Sequence, residues 1–121
     1  MTKQQIFDKI ADHLLTQNAV SVGPGDNAMC KYRADDGLSC AIGCLIPDEL
    51  YVKKLEGKEV SHRIVREVLK KVDIINEGRF LGQFEEMHDY YPPFQWPRYL
   101  IEIADKYKLN TDVVTNFKKL T

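Results

Sequence analysis

Apolar residues recur along most of this chain at three- and four-residue spacing, the period of an amphipathic helix. Over residues 3–17, Ile6, Phe7, Ile10, Ala11, Leu14 and Leu15 share one face, while Asp8, Lys9 and Asp12 take the other. Thr2, with Gln5 three residues on, predicts a capping box at the start of this helix. Ser61 is placed to cap a helix from His62 to about Val72, with Ile64, Val65, Val68, Leu69 and Val72 turned inward. Gly78 separates it from a helix over roughly 79–90 that buries Phe80, Leu81, Phe84, Met87 and His88, and Pro92-Pro93 ends that helix. Pro97 opens a fourth, carrying Leu100, Ile101, Ile103, Ala104 and Tyr107. Thr111 caps a last short one holding Val113, Val114, Phe117 and Leu120.

The helical period gives way between residues 18 and 60. Asn18 to Ala28 reads as a loop around the breaker cluster Gly23-Pro24-Gly25-Asp26-Asn27. Met29 to Arg33 alternates as a short strand would, Ala34-Asp35-Asp36-Gly37 supplies a turn, and Leu38 to Cys40 is the return strand. Alternatively, Ser39 caps a short helix that starts at Cys40, which Gly43 weakens while allowing close packing. Pro47 opens a further helical turn through Tyr51. The expected architecture is one domain over 1–121 of the α+β class, mostly helical, with about five helices and one small β-hairpin near residues 29–40. Such a hairpin is marginal alone in water, so it must lie on the helices or gain strands from a partner.

Charge narrows the partners. Lys plus Arg number 17 against 18 Asp plus Glu, a net charge of −1. Duplex nucleic acid needs a basic face to displace counterions, so it is excluded as a dedicated partner. A small basic pocket remains open, and Lys31, Arg33, His62, Arg63 and Arg66 are its candidates. No apolar run approaches the roughly 20 residues of a membrane helix. The opening Met1-Thr2-Lys3-Gln4-Gln5 leads into an amphipathic pattern with no signal-peptide core. Both points predict a cytoplasmic protein with no membrane partner. The 3 cysteines, an odd count, fit free thiols in a reducing compartment better than a disulfide framework.

Candidate chemistry gathers around Cys30 to Pro47, which holds all the cysteines. A thiol at Cys40, leaving a turn and entering a helix, would be stabilised as thiolate by orphan N–H groups. With His88 as base and Asp89, or from elsewhere Asp36 or Asp12, as orienter it forms the minimum set for acyl transfer, a thiol-dependent hydrolase or transferase. Adjacent helical residues point about 100° apart, so Asp89 is a poor orienter for His88 unless the backbone breaks. A second alternative is a small zinc-stabilised interaction module, with Cys40 and Cys44 four residues apart, Cys30 across the hairpin and His62 or His88 completing the set. That spacing matches no common zinc motif, so no metal site is assigned. No cofactor fingerprint is present either: Gly37-x5-Gly43 lacks the Lys-Ser/Thr ending of a phosphate loop.

The leading expectation is a binding protein. Lys31, Tyr32, Arg33 and Gly37 form its ligand-binding candidates beside the turn, with Trp96 of the aromatic segment Tyr90 to Pro97 as a stacking face. The same segment, if exposed, would dock a host protein or a second copy of the chain.

The chain resembles a family of small uncharacterised proteins encoded by bacteriophages and bacterial genomes. The resemblance rests on Ile6-Phe7 with His13-Leu14-Leu15-Thr16-Gln17, on Cys30-Lys31-Tyr32-Arg33, and on Gly37-x-x-Cys40-Ala41-x-Gly43-x-Leu45-Ile46-Pro47. Tyr51, Glu56-Gly57 and Met87-His88-Asp89 continue it. It implies a phage or prophage setting within a bacterial host cell and brings no activity or catalytic residues with it. The resulting expectation is a phage-type accessory protein that binds a host protein or a small ligand, a nucleotide among the candidates.

Overall fold

The computed structural model describes residues 1–21, 31–34 and 36–120, with side chains through 117. Five α-helices build it: α1 (Lys3–Gln17), α2 (Arg63–Lys70), α3 (Gly78–Tyr90), α4 (Trp96–Tyr107) and α5 (Asp112–Leu120). Short 3-10 turns at Gly43–Leu45, Asp48–Leu50, Lys53–Leu55 and Pro93–Gln95 interrupt the connections. No strand occurs among the described residues.

Local sequence explains each helix end. The capping box forms as expected: the Gln5 N–H donates to Thr2 Oγ1 at 3.1 Å and the Thr2 N–H to Gln5 Oε1 at 2.9 Å. Asn18 closes α1 in the left-handed region at φ 49°, a conformation asparagine tolerates better than most side chains. The cap of α2 is His62 rather than Ser61, because the imidazole Nδ1 reaches the Ile64 N–H at 3.2 Å.

Helix α1 is the spine. It packs on α4, α5 and the Gly43–Leu45 turn, and α3 packs on α4. Ile6, Phe7, Ile10, Ala11 and Leu14 are fully buried in one cluster with Phe84 of α3, Trp96 and Leu100 of α4, and Val114 of α5. Phe80 meets Phe84 edge-on at 5.1 Å and Tyr107 at 4.8 Å, the offset geometry that ring quadrupoles favour. A cluster of this kind is the main stabilising term, at about 1.5–3 kcal/mol for each fully buried large aliphatic or aromatic side chain.

The expected β-hairpin is absent, and the chain's own side chains account for that. A turn does form: the Gly37 N–H donates to the Ala34 carbonyl at 3.1 Å, and the Ala34 N–H to the Leu38 carbonyl at 2.8 Å. No ladder follows it. The N–H groups of Tyr32 and Arg33 donate instead to the two oxygens of the Glu56 carboxylate, at 2.9 and 3.0 Å. Ser39, on the return arm, gives its N–H to Gln17 Oε1 at 3.0 Å and takes Gln17 Nε2–H on its carbonyl at 2.9 Å. The glutamine amide thus acts as a surrogate strand, satisfying both backbone groups that a partner strand would have taken. Gln4, at the other end of α1, treats Asn110 the same way, at 2.8 and 3.1 Å. The breaker cluster of 23–27, the first residues of the expected strand, Cys30 and Asp35 lie outside the described residues.

The short helix expected from Cys40 is also replaced. The Cys44 N–H reaches the Cys40 carbonyl at 3.2 Å, but only the 3-10 turn Gly43–Leu45 follows. Gly43 is required there by close approach. A Cβ at that position would lie 2.0 Å from the Tyr32 carbonyl oxygen.

Candidate functional site

The segment from Lys31 to Lys58 is folded by side chains. Glu56 gathers the Tyr32 and Arg33 amides and also the Tyr51 hydroxyl, at 2.6 Å. The Arg33 guanidinium bonds Asp48 and donates to the Ile46 carbonyl at 2.6 Å, while lying 4.9 Å from the centre of the Tyr51 ring. Tyr32 is buried and donates its hydroxyl to the Lys58 carbonyl at 2.6 Å. Lys31 joins the molecule through its backbone: its N–H donates to the Ser21 carbonyl at 2.9 Å, and its carbonyl accepts the Ser21 hydroxyl at 2.8 Å.

Between this knot and α1 a cleft of about 450 Å³ opens, lined by His13, Arg33, Gly37, Ser39, Cys44 and Asp48 among others. A second lobe, of about 520 Å³, shares His13 and Cys44 with it and is otherwise lined by Lys9, Asp12, Thr16 and Gln17. His13 Nε2 lies 2.9 Å from the Ser39 carbonyl and 3.0 Å from Ser39 Oγ. A carbonyl can only accept, so Nε2 carries the proton and faces both oxygens as a donor. That arrangement fixes the wall of the cleft and leaves His13 with no basic nitrogen toward the Ser39 hydroxyl.

Arg33 and Gly37 are thus the two ligand-binding candidates brought into one cleft. Three others are placed elsewhere. Lys31 is outside this lining, and Tyr32 belongs to the core. Trp96 is fully buried, with Nε1–H donated to the Tyr91 carbonyl at 3.0 Å, so it offers no stacking face to a ligand. His13, Ser39 and Cys44 were not singled out as ligand contacts. Only the four-residue spacing of His13 and Gln17, at the edge of the apolar face of α1, hints that both reach one loop.

The thiol and imidazole expected to react are both shut off from solvent and bonded to other groups. Cys40 is fully buried, and its sulfur accepts the Gly43 N–H at 3.4 Å. His88 is fully buried too. Its Nε2 accepts the Ser21 backbone N–H at 2.9 Å, which places the ring proton on Nδ1, 2.9 Å from Asp89 Oδ1. Asp89 orients the ring after all, with no break in α3, but the nitrogen that would have served as base is capped by a backbone amide. The imidazole lies over Trp96 with ring centres 5.7 Å apart. Cys44, half-buried, donates its thiol to the Ala41 carbonyl at 3.0 Å. Burial pushes its pKa up to about 12, helped by the neighbouring Cys40 and opposed by Lys9.

For metal binding, no group of three or more His, Cys, Asp or Glu side chains converges among the described residues. His62 caps α2, His88 is engaged as above, and Cys30 lies outside the described residues.

A different cavity, of about 280 Å³, lies between α2 and α3. Its floor is apolar, from Val60, Leu69, Ile74 and Leu81, and Arg63, Arg66 and Lys70 stand on its rim. Two of the basic-patch candidates therefore do come together, and the cation that joins them is Lys70. The aromatic segment divides. Trp96 turns inward and Tyr91 stacks on Tyr99 at 3.9 Å, whereas Tyr90 and Phe94 are exposed. No helix among the described residues is long and apolar enough to cross a membrane. Comparison of the chain with protein-family models, with characterised proteins and with solved structures finds no match.

Proposed function

We propose that this chain is a small accessory binding protein of the phage-encoded type, working in the cytoplasm of a bacterial host cell, and that it holds a small polar ligand in the cleft beside α1. The observation that carries this reading is the convergence of Arg33, Gly37, Ser39, His13 and Cys44 on one concave surface of about 450 Å³. Pockets that take small molecules are concave, largely preformed and furnished with a few fixed polar groups. Here the Gln17 and His13 bonds to Ser39 and the Asp48 bond to Arg33 fix those groups before any ligand arrives.

The thiol-transfer reading draws no support from the placement of Cys40 and His88, for the reasons given above. The test of the binding reading is a two-dimensional amide NMR titration of labelled protein with AMP, GMP, inorganic phosphate and citrate as probes. Saturable shifts confined to residues 33, 34 and 36–48 and the neighbouring turn of α1 are expected with at least one probe. Thr16→Trp, which plugs the adjoining lobe from an exposed helix position, should weaken them without changing the melting temperature. Shifts located elsewhere, or none at millimolar probe, would overturn the assignment.

A further inference from the structure

We infer that the cavity between α2 and α3 is a docking site for an acidic segment of a partner protein, anchored by one large apolar side chain. This reading stands apart from the cleft beside α1, with which the cavity shares no lining residue.

The floor supplies the anchor pocket. Val60, Leu69, Ile74 and Leu81 are nearly fully buried beneath an opening of about 280 Å³, enough for a leucine, phenylalanine or tryptophan side chain and little more. Ile75 lies at the edge and is 56% exposed, so apolar surface continues past the opening. A ligand that covered only the cavity would leave it wet. A longer segment that covers it as well removes that apolar surface from water and binds more tightly for it.

The rim supplies the charge. Arg63, Arg66 and Lys70 follow one another at spacings of three and four along α2, so they line one face in a row about 10 Å long at the helical rise. None of the three makes an ion pair among the described residues. Two carboxylates share the rim, Glu67 and Glu77, and Glu77 is already neutralised by Lys3 at 2.8 Å. The local balance is therefore positive on a chain whose net charge is −1. A row of three cations is longer than one small anionic head group can span. It matches successive acidic side chains on an extended or helical peptide, with the apolar residue between them seated in the pocket.

The test uses fluorescence anisotropy with two labelled peptides. One has a central tryptophan flanked on each side by two glutamates, and the other carries lysines in place of the glutamates. The expected result is saturable binding of the acidic peptide to the full chain, weakened as salt rises from about 50 to 300 mM. The double variant Arg63→Glu/Arg66→Glu should weaken it by about tenfold or more. Both positions are exposed on α2, so the variant should keep its melting temperature. Ile75→Asp provides a second readout at the apolar edge, also with loss of binding. Equal binding of the lysine peptide would overturn the proposal, as would unchanged affinity in the double variant or no binding at millimolar protein. Decanoate, titrated separately, tests a small amphiphile: if it binds and the acidic peptide does not, the site is not a peptide site and the proposal fails. Thr16→Trp should leave peptide capture unchanged, which keeps this outcome distinct from that of the cleft beside α1.

Discussion

The backbone N–H of Ser21 donates to Nε2 of His88 across 67 residues of sequence, at 2.9 Å and out of contact with solvent. This one bond ties the chain four residues past the end of α1 to α3. It also uses the ring nitrogen that general-base chemistry would need. Replacing His88 by alanine leaves the Ser21 amide without a partner and opens a void beside Trp96. We expect His88→Ala to destabilise the fold by about 2–4 kcal/mol, the combined scale of an orphaned buried donor and a core truncation. Urea denaturation measures this directly, and a loss below about 1 kcal/mol would show that the bond is dispensable.

Gly43 and Gly82 should respond oppositely to alanine. A Cβ on Gly43 would sit inside the Tyr32 carbonyl, so Gly43→Ala must displace backbone and is expected to be strongly destabilising. Gly82 lies within α3 and a Cβ there meets nothing within 4 Å. Gly82→Ala should raise stability by roughly 0.5–1 kcal/mol, the ordinary cost of glycine in a helix. Melting temperatures of the pair check both signs at once.

Gln17 tests the surrogate-strand reading. Gln17→Glu keeps an acceptor for the Ser39 N–H but sets a carboxylate oxygen against the Ser39 carbonyl. The Ser39 amide should then exchange with solvent much faster, while amides in the middle of α3 keep their protection. Hydrogen exchange followed by NMR resolves the two regions.

Glu85 predicts a pH dependence. Burial, and then the nearby Asp89 and Glu59 carboxylates, raise its pKa from 4.5 to about 7. A raised carboxyl holds its proton more tightly in the folded chain than in the unfolded one. Its stabilising contribution is therefore fully present below pH 4.5 and is lost as pH rises through about 7. Glu85→Gln should flatten that part of the stability profile, with its largest gain over the parent at and above neutral pH. A set of thermal melts from pH 4 to 8 reads the slope.

The thiols should be quiet. With Cys40 fully buried and Cys44 held as the thiol up to about pH 12, neither should react with iodoacetamide near pH 8 in the folded protein. Both should react fully in urea. Peptide mapping by mass separates them from Cys30. Fast labelling of Cys40 in the native state would restore the case for a nucleophile there.

How much of this was legible beforehand differs sharply along the chain. The helices were readable because their signal is periodic: α1 starts and ends where its apolar spacing, its Thr2–Gln5 box and Asn18 place it. The inward set of α3, including His88, was readable for the same reason. The hairpin was not, because the alternation and the turn residues were genuine but the backbone partners were side chains. Nothing local in Lys31-Tyr32-Arg33 announces that Glu56 will take two of its amides, nor does Ser39 announce Gln17. The concentration of unusual residues between Cys30 and Pro47 suggested reactivity. Its visible cause is packing, since Gly43 clears the Tyr32 backbone and Cys40 and Ala41 fill the space under α1. Arg33 shows the same confusion of roles. Its charge is spent on Asp48 and the Ile46 carbonyl, so truncating it would loosen the knot before it revealed anything about a ligand.

Four of the bonds that shape the middle of this chain span 22 to 67 positions of sequence and end on the side chains of Gln17, Glu56 and His88. Each of them holds a stretch that has, among the described residues, no ladder and no α-helix of its own, so little local structure keeps it in place once those side chains let go. On gentle heating or protease challenge residues 36 to 56 should therefore be released first, with the helical bundle still assembled.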